Sequence, residues 1–129
     1  MKAPLWIDRQ DCVAIHEMML AHHGGIEGIR DETLLESALA RPRQLLAYGK
    51  PKMPELAAAY AKGLVQNHPF LDGNKRTGFL VAATFLEVNG LTLDATEEEV
   101  VTFSVGLAAK EISEKAYGAW LSKNVNAAL

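Results

Sequence analysis

Apolar residues recur with the spacing of an α-helix along nearly the whole chain. The first such stretch follows Asp8, a residue that can cap a helix start, and we expect the helix to run to about His23. Gly24 and Gly25 then end it, because glycine readily adopts the left-handed conformation found after helix ends. The apolar positions at helical spacing are Cys12, Val13, Ile15, Met19 and Leu20.

A second helix is predicted after a glycine-rich connector, residues 24–30. Asp31 can cap its start. Its apolar positions are Leu34, Leu35, Ala38 and Leu39. We expect this helix to end near Arg41, since the proline at position 42 disfavours helical conformation in the residue before it. Residues 43–53 are ambiguous and could form a short helix, an extended flap, or both.

Two strongly apolar helices are predicted next. Pro54 suits the first turn of a helix that runs to about Asn67, and the scarcity of polar residues in "ELAAAYAKGLVQN" indicates burial on several sides. A fourth helix starts near Asn74 and stops at Asn89–Gly90. Because this is the most apolar segment of the chain, we expect it to be the central helix of the fold.

The remaining residues predict two more helices and one short extended piece, residues 91–94. Thr96 and Glu99 have the spacing of a capping box for a fifth helix, and Ser113 can cap a last one. The sequence therefore predicts an all-α fold, a compact bundle of about six helices with one minor flap at most.

Length and composition fit one domain, residues 1–129, and a hydrophobic content of 49% allows a substantial core without disulfides or metals. The single cysteine, Cys12, cannot form an internal disulfide, which fits a reducing compartment. No apolar run is long enough to span a membrane, and the N-terminus lacks the continuous apolar core of a signal peptide. We therefore expect a soluble, cytoplasmic protein.

The formal net charge is 13 − 16 = −3. Domains that bind nucleic acid through broad phosphate contacts are usually basic, so direct nucleic-acid binding is disfavoured as the main function. A small phosphorylated ligand or a protein partner is compatible with this charge.

Polar and charged residues crowd the loop between the third and fourth helices, which reads "HPFLDGNKRTG" from His68 to Gly78. We expect Phe70 to point inward as an anchor and Gly73 to permit a positive φ. Taken singly, each polar residue could be an ordinary helix cap or a solvated loop residue. The whole string between two apolar helices favours a functional site.

The residue types in this string indicate phosphate chemistry. Asn74, Lys75 and Arg76 lie in the first turn of the next helix, where unpaired N–H groups and the helix dipole form an anion site. Two cations there oppose the dipole at a cost of about 0.3–1 kcal/mol each, which a bound phosphate would remove. Asp72 offers an oxygen ligand suited to Mg²⁺, and His68 can accept a proton near neutral pH. This combination indicates transfer from a nucleotide to a hydroxyl.

"HPFLDGNKR" closely resembles the signature of the Fic/Doc family, H-x-F-x-(D/E)-(G/A)-N-(G/K)-R, and all seven constrained positions agree. The segment "HHGGIEGIRDETLLESALARP", from His22 to Pro42, is similar to the segment that precedes the core in death-on-curing (Doc) toxins. The resemblance extends from about Asp8 to Leu121. It implies an all-α fold in which the motif loop joins two central helices.

The resemblance also implies a role for each motif residue. His68 would be the general base on a target hydroxyl. Asp72 would hold Mg²⁺ or help to orient that hydroxyl, and Phe70 would be the structural anchor. ATP and Mg²⁺ are the implied cofactors. The implied catalytic residues are His68, Asp72, Lys75 and Arg76. The implied phosphate-binding residues are Gly73, Asn74, Lys75 and Arg76.

Two positions indicate the Doc branch. Lys75 stands where AMP-transferring Fic proteins usually have glycine, and Phe79 stands where they usually have a second arginine. The loss of that arginine removes a bidentate phosphate contact. Doc toxins, which share both departures, bind the nucleotide in the reverse sense and transfer its γ-phosphate.

The Doc resemblance implies the toxin of a toxin–antitoxin system, which stops translation by phosphorylating a threonine on elongation factor Tu. The implied partner is a separate antitoxin of the Phd type, whose C-terminal segment folds onto the toxin. The chain has no convincing internal (S/T)-x-x-x-E-(G/N) inhibitory motif, which agrees with control by a partner. Two alternatives remain: AMP transfer to a protein hydroxyl, and a catalytically silent module that binds an antitoxin.

Other noticeable residues favour structural interpretations. His22 and His23 have few metal-ligating neighbours in sequence, and histidine is common near a helix C-terminus, so a metal site there is not expected. Trp6 and Trp120 are expected to pack in the core.

Overall fold

A computed structural model of the chain describes residues 3–127. These residues form six helices and one small antiparallel sheet, which confirms the predicted fold class. The helices are α1 (Arg9–His23), α2 (Glu32–Ala47), α3 (Met53–Asn67), α4 (Asn74–Val88), α5 (Glu97–Ala108) and α6 (Glu114–Asn124). The strands are β1 (Leu91–Leu93) and β2 (Val125–Ala127).

Polar caps set the helix starts where the sequence predicted them. The Asp8 side chain accepts a hydrogen bond from the Asp11 amide, and Asp31, Thr96 and Ser113 do the same at α2, α5 and α6. Each of these bonds satisfies one of the amides that a helix start leaves unpaired. At the end of α1, Gly24 adopts the expected positive φ of 76°.

The prediction that the second helix ends near Arg41 is wrong, because α2 continues through Pro42 to Ala47. A proline inside a helix costs about 3 kcal/mol or more. Here Pro42 itself is buried, Leu45 and Leu46 pack against the core, and these contacts offset that cost. Residues 43–47 are therefore helical as part of α2, and residues 48–52 form a short connection without a strand.

The centre of the bundle is α3 rather than α4, contrary to the prediction. Ten of its fifteen residues are buried, against seven of fifteen in α4, and it packs against α2, α4, α5 and α6. Its small side chains explain the difference, because alanine and glycine let neighbouring helices approach closely. Tyr60, also in α3, accepts from the Ile7 amide and donates to the Ile7 carbonyl, which fixes the segment before α1.

The sheet joins the segment that follows α6 to the segment that follows α4. Leu91 of β1 pairs with Ala127 of β2, and Leu93 pairs with Val125. The extended piece at residues 91–94 was predicted, but its partner strand was not, because pairing across this sequence distance leaves no local pattern. Within residues 3–127, no helix combines the length and the apolar content needed to cross a membrane.

Cys12 packs inside the core and is fully buried. Burial raises the pKa of its thiol to about 12, and the nearby Asp11 carboxylate adds to this shift. The thiol is therefore neutral at physiological pH and acts as a small apolar side chain.

Gly63 marks a close approach of α3 to α2 and gives a test of this packing. A Cβ at Gly63 would lie 3.0 Å from Ala38 Cα and 3.2 Å from Ala38 O, atoms that cannot rotate away. We expect Gly63→Ala to lower the free energy of unfolding by about 1–3 kcal/mol, as overpacking of a core does. Urea denaturation measures this change.

Gly118→Ala is the matched control, since a Cβ there would lie 3.4 Å from its nearest neighbour, Ala58 Cβ. That variant should be neutral or more stable by up to about 1 kcal/mol, because alanine favours a helix over glycine. Equal stabilisation of both variants would contradict the close packing of α2 on α3.

Candidate active site

The predicted site residues lie in and after the motif loop, which comprises residues 68–73 between α3 and α4. Both ends of the loop have left-handed backbone conformations. His68 caps the end of α3 with φ 54°, and Gly73 precedes α4 with φ 77°. The chain therefore reverses sharply at each end, and this places His68 and the first turn of α4 around one bend.

Backbone hydrogen bonds join the motif loop to residues 28–31. Ile29 and Phe70 form an antiparallel bridge, and the Leu71 amide donates to the Gly28 carbonyl at 3.0 Å. The amides of Arg30 and Asp31 both donate to the Pro69 carbonyl. The connector between α1 and α2 thus supports the loop from one side.

Phe70 is fully buried, as its predicted anchoring role requires. The His16 ring of α1 stacks on the Phe70 ring with centroids 3.8 Å apart and planes within 7°. His16 Nε2 also lies within hydrogen-bond distance, 2.9 Å, of the Asp72 carbonyl oxygen. His16 is itself only 3% exposed. One buried imidazole therefore contacts both Phe70 and Asp72.

The side chain of Asn74 holds the loop closed. Its Oδ1 accepts from the Phe70 amide at 3.0 Å, and its Nδ2 donates to the Phe70 carbonyl at 2.9 Å. Both ends of the buried amide are therefore used within the protein. The predicted phosphate contact of Asn74 consequently rests on its backbone N–H.

The carboxylate of Asp72 is positioned by two backbone amides. Oδ1 accepts from Gly73 N at 2.9 Å, and Oδ2 accepts from Ile26 N at 3.1 Å. Each oxygen keeps a second lone pair, because a carboxylate has about four acceptor sites. The side chain is exposed at the surface of the site and can still ligate a cation.

The first turn of α4 presents amides and two cations. The first bond of the α4 ladder runs from Thr77 N to Gly73 O, so the amides of Asn74, Lys75 and Arg76 have no intrahelical acceptor. Lys75 and Arg76 are exposed. The Arg76 guanidinium lies 3.1–3.2 Å from the two ring nitrogens of His23, at the end of α1.

A single cavity of about 880 Å³ brings these groups together. It is lined by the motif loop, the first turn of α4 and one side of α5. The predicted residues that line it are His68, Asp72, Gly73, Asn74, Lys75 and Arg76. The unpredicted polar residues that line it are His23, Gln66, Glu97, Ser104 and Lys110.

Comparison with known proteins identifies the family of the chain. The family model of the Fic/DOC family matches residues 6–86, which is more than half of the chain. The chain belongs to the Fic/DOC family.

The curated relatives of this Fic/DOC chain place it in the Doc branch. It is 41% identical over 93 residues to "Toxin Doc" of Mycolicibacterium smegmatis, covering 70% of this chain and 68% of that protein. It is 31% identical over 108 residues to "Protein kinase doc" of Escherichia phage P1, covering 83% of this chain and 85% of the relative.

Among residues 3–127, this Fic/DOC chain has no group of three or more His, Cys, Asp or Glu side chains that could hold a metal by themselves. Mg²⁺ is commonly bound by one or two carboxylates together with substrate phosphates and water. The single Asp72 carboxylate beside the free amides of α4 fits that mode of binding.

Two residues that support this Fic/DOC site were not found from the sequence. Arg30 donates from Nε to the His68 carbonyl at 2.7 Å and from a terminal nitrogen to the Asn67 carbonyl at 2.9 Å. His16, which contacts Phe70 and Asp72, is not among the residues that the sequence analysis names. Arg30 is a cation in a glycine-rich connector, directly before the cap Asp31. That placement is the one local signal that could have indicated its role.

Arg30→Met tests how the end of α3 is held. The two carbonyls that accept from the guanidinium would lose charge-assisted bonds, so we expect a loss of about 1.5–3 kcal/mol in the free energy of unfolding. Urea denaturation measures the loss, and a rise in backbone hydrogen exchange at residues 67–69 would localise it.

Arg9→Met serves as the matched control. Arg9 is also an exposed arginine, but it pairs with a side chain, that of Glu32, rather than with backbone carbonyls. Exposed pairs of this kind contribute little to stability. The interpretation of Arg30 fails if the two variants lose the same stability.

Proposed function

We propose that this chain is a Doc-type toxin that transfers the γ-phosphate of ATP, with Mg²⁺, to a threonine of elongation factor Tu. The observation that supports this most directly is the cavity in which an imidazole, a carboxylate and a cationic helix N-terminus meet. The names of the relatives, "Toxin Doc" and "Protein kinase doc", agree with a toxin and with phosphoryl transfer.

The first turn of α4 is suited to bind the phosphate chain. Its free amides point along the helix axis toward the cavity, and the helix dipole favours an anion at this end. Lys75 and Arg76 add two charges that would otherwise oppose the dipole. A phosphate at this position converts that unfavourable placement into a favourable one.

His68 is suited to accept the proton of the attacking hydroxyl. It lines the cavity beside the α4 N-terminus, and its backbone is held on both sides, by Leu64 O at its amide and by Arg30 at its carbonyl. In the proposed reaction the threonine oxygen forms a bond to the γ-phosphorus and the bond to the bridging oxygen breaks. The hydroxyl proton passes to the imidazole, and ADP leaves.

Asp72 would hold Mg²⁺, which supplies charge neutralisation for the phosphates when bound. Its two amide bonds fix the carboxylate at the edge of the bend before any ligand arrives. Pre-positioning of this kind limits the reorganisation needed during the reaction.

Phe79 favours phosphoryl transfer over AMP transfer. AMP-transferring Fic proteins usually have a second arginine at this position. Here the half-buried Phe79 ring lines the cavity instead, with its centroid 6.3 Å from that of the Trp120 ring. Arg76 is then the one guanidinium that this turn of α4 offers to a phosphate.

A separate antitoxin is the proposed partner, and the Phd type is the class expected to bind. The relative named as a toxin supports control by a partner protein. With elongation factor Tu as target and ATP as donor, the reaction would take place in the cytoplasm.

Transfer of label separates the two reactions. Incubation of the purified chain and elongation factor Tu with ATP labelled at the γ position should label the target, while ATP labelled at the α position should not. Retention of the α label would instead support AMP transfer and would overturn the kinase proposal.

His68→Ala tests whether the site is catalytic at all. Loss of a general base typically reduces the rate by about 10²–10⁴-fold, so target labelling and growth inhibition should both fall strongly. His22→Ala is the control, since His22 is exposed on α1 and bonds the Met18 carbonyl. Growth inhibition that His68→Ala leaves unchanged, without target labelling by either protein, would instead support the catalytically silent antitoxin-binding module.

A further inference from the structure

Lys110 has a backbone conformation that its side chain does not favour. It lies just after α5 with φ 62°, and only one other non-glycine residue among residues 3–127, His68, has a positive φ. The remaining positive-φ positions are all glycine, namely Gly24, Gly25, Gly28, Gly73 and Gly90. Both exceptions line the active-site cavity.

Hydrogen bonds at the end of α5 impose this conformation. The Glu111 amide donates to Gly106 O at 2.9 Å, and the Lys110 amide donates to Leu107 O at 3.2 Å. This pair of bonds is the Schellman motif, which requires a left-handed residue at the position of Lys110. Glycine is the usual choice there, because any Cβ adds strain in this region.

Favourable contact with the helix dipole does not explain the lysine. Ala109, one residue earlier, has an ordinary φ of −79° and is exposed. A lysine at Ala109 would place the same charge at the helix end without backbone strain. What distinguishes Lys110 is that it lines the cavity, and residues held in rare conformations are concentrated at functional sites.

The end of α5 is held against the end of α3. Gln66 Nε2 donates to the Leu107 carbonyl at 3.2 Å, and Gln66 lies two residues before His68. Lys110 therefore lines the cavity from the end of α5 that contacts α3, whereas Lys75 and Arg76 line it from α4. The cavity is thus bordered by cations from α4 and from the turn after α5.

We infer that Lys110 is a nucleotide-binding residue whose ammonium group contacts the phosphate chain of ATP. The inference rests on the proposed function. A triphosphate is the favoured occupant because the cavity that Lys110 lines is continuous with the free amides of α4. The carboxylates of Asp72 and Glu97, which both line the cavity, offset part of the positive charge of Lys75, Arg76 and Mg²⁺. A further cation therefore improves the charge balance against a triphosphate.

Three substitutions separate charge from backbone strain. Lys110→Gly should raise the urea midpoint, because glycine relieves the strain, and should weaken binding of ATP with Mg²⁺ by about 10-fold. Lys110→Asn should weaken binding similarly, since asparagine tolerates the conformation but has no charge. Lys110→Arg should keep the affinity within about 3-fold. Isothermal titration calorimetry on the full chain gives the dissociation constants.

Lys115→Asn is the control for net charge, because Lys115 is exposed on α6 and does not line the cavity. It should leave the dissociation constant for ATP unchanged. The wild-type affinity should also fall more steeply with added salt than that of Lys110→Gly, as expected when one ionic contact is lost.

The possible failures are distinguishable. If the wild type binds ATP and the Lys110→Gly and Lys110→Asn variants bind it equally well, the inference is wrong and the proposed function stands. The inference is also wrong if those variants keep ATP affinity but show a raised KM for the protein target, which would assign Lys110 to an acidic segment of that target. Absence of ATP binding in the wild type would overturn the proposed function together with the inference.

Discussion

The side chain of Asn74 maintains the bend on which the whole site depends. Its amide is one of few side-chain groups that can both accept from a backbone N–H and donate to the carbonyl of the same residue, here Phe70. Because Asn74 is only 3% exposed, loss of either bond would leave a buried polar group unpaired, at about 1–3 kcal/mol. An asparagine at this position of the family motif is therefore explained by loop geometry.

The site is built from segments far apart in the chain. Asp72 accepts from Ile26, Leu71 donates to Gly28, and Arg30 holds the last carbonyls of α3. Without this connector, the carboxylate and the imidazole would have only the loop itself to fix them. This dependence gives a physical reason why the Fic/DOC family model matches residues 6–86 and not the nine-residue motif alone.

Local signals predicted most of the helix boundaries. The side chains of Asp8, Thr96 and Ser113 each accept from an amide three residues later. Such caps can therefore be recognised from a few neighbouring residues in the sequence. The prediction failed at Pro42, where buried contacts outweigh the local cost of proline, and tertiary packing of this kind has no local signature. The pairing of β1 with β2 was missed for the same reason.

At the site, too, the features with a local sequence signal were predicted and those that depend on tertiary contacts were not. The motif residues could be found because they are contiguous, and the structure places six of them on one cavity. The other residues at the site lie far from the motif in sequence: His16 stacks on Phe70, Arg30 bonds the His68 carbonyl, and Lys110 lines the cavity. The type of a single residue does not reveal such contacts. The strained φ of Lys110 in particular depends on a turn type that the sequence "AAKEIS" does not reveal.

Several features of the chain that are locally unfavourable would all be stabilised by the same ligand. Lys75 and Arg76 oppose the dipole of α4, Lys110 occupies a conformation better suited to glycine, and the first amides of α4 lack intrahelical partners. Each cost is modest, and separate explanations could be found for each. A single anion in the cavity would neutralise the cations and satisfy the amides, and it would give the strained lysine a partner. Because these features meet in one cavity, a phosphorylated ligand accounts for them with fewer assumptions than independent structural causes do.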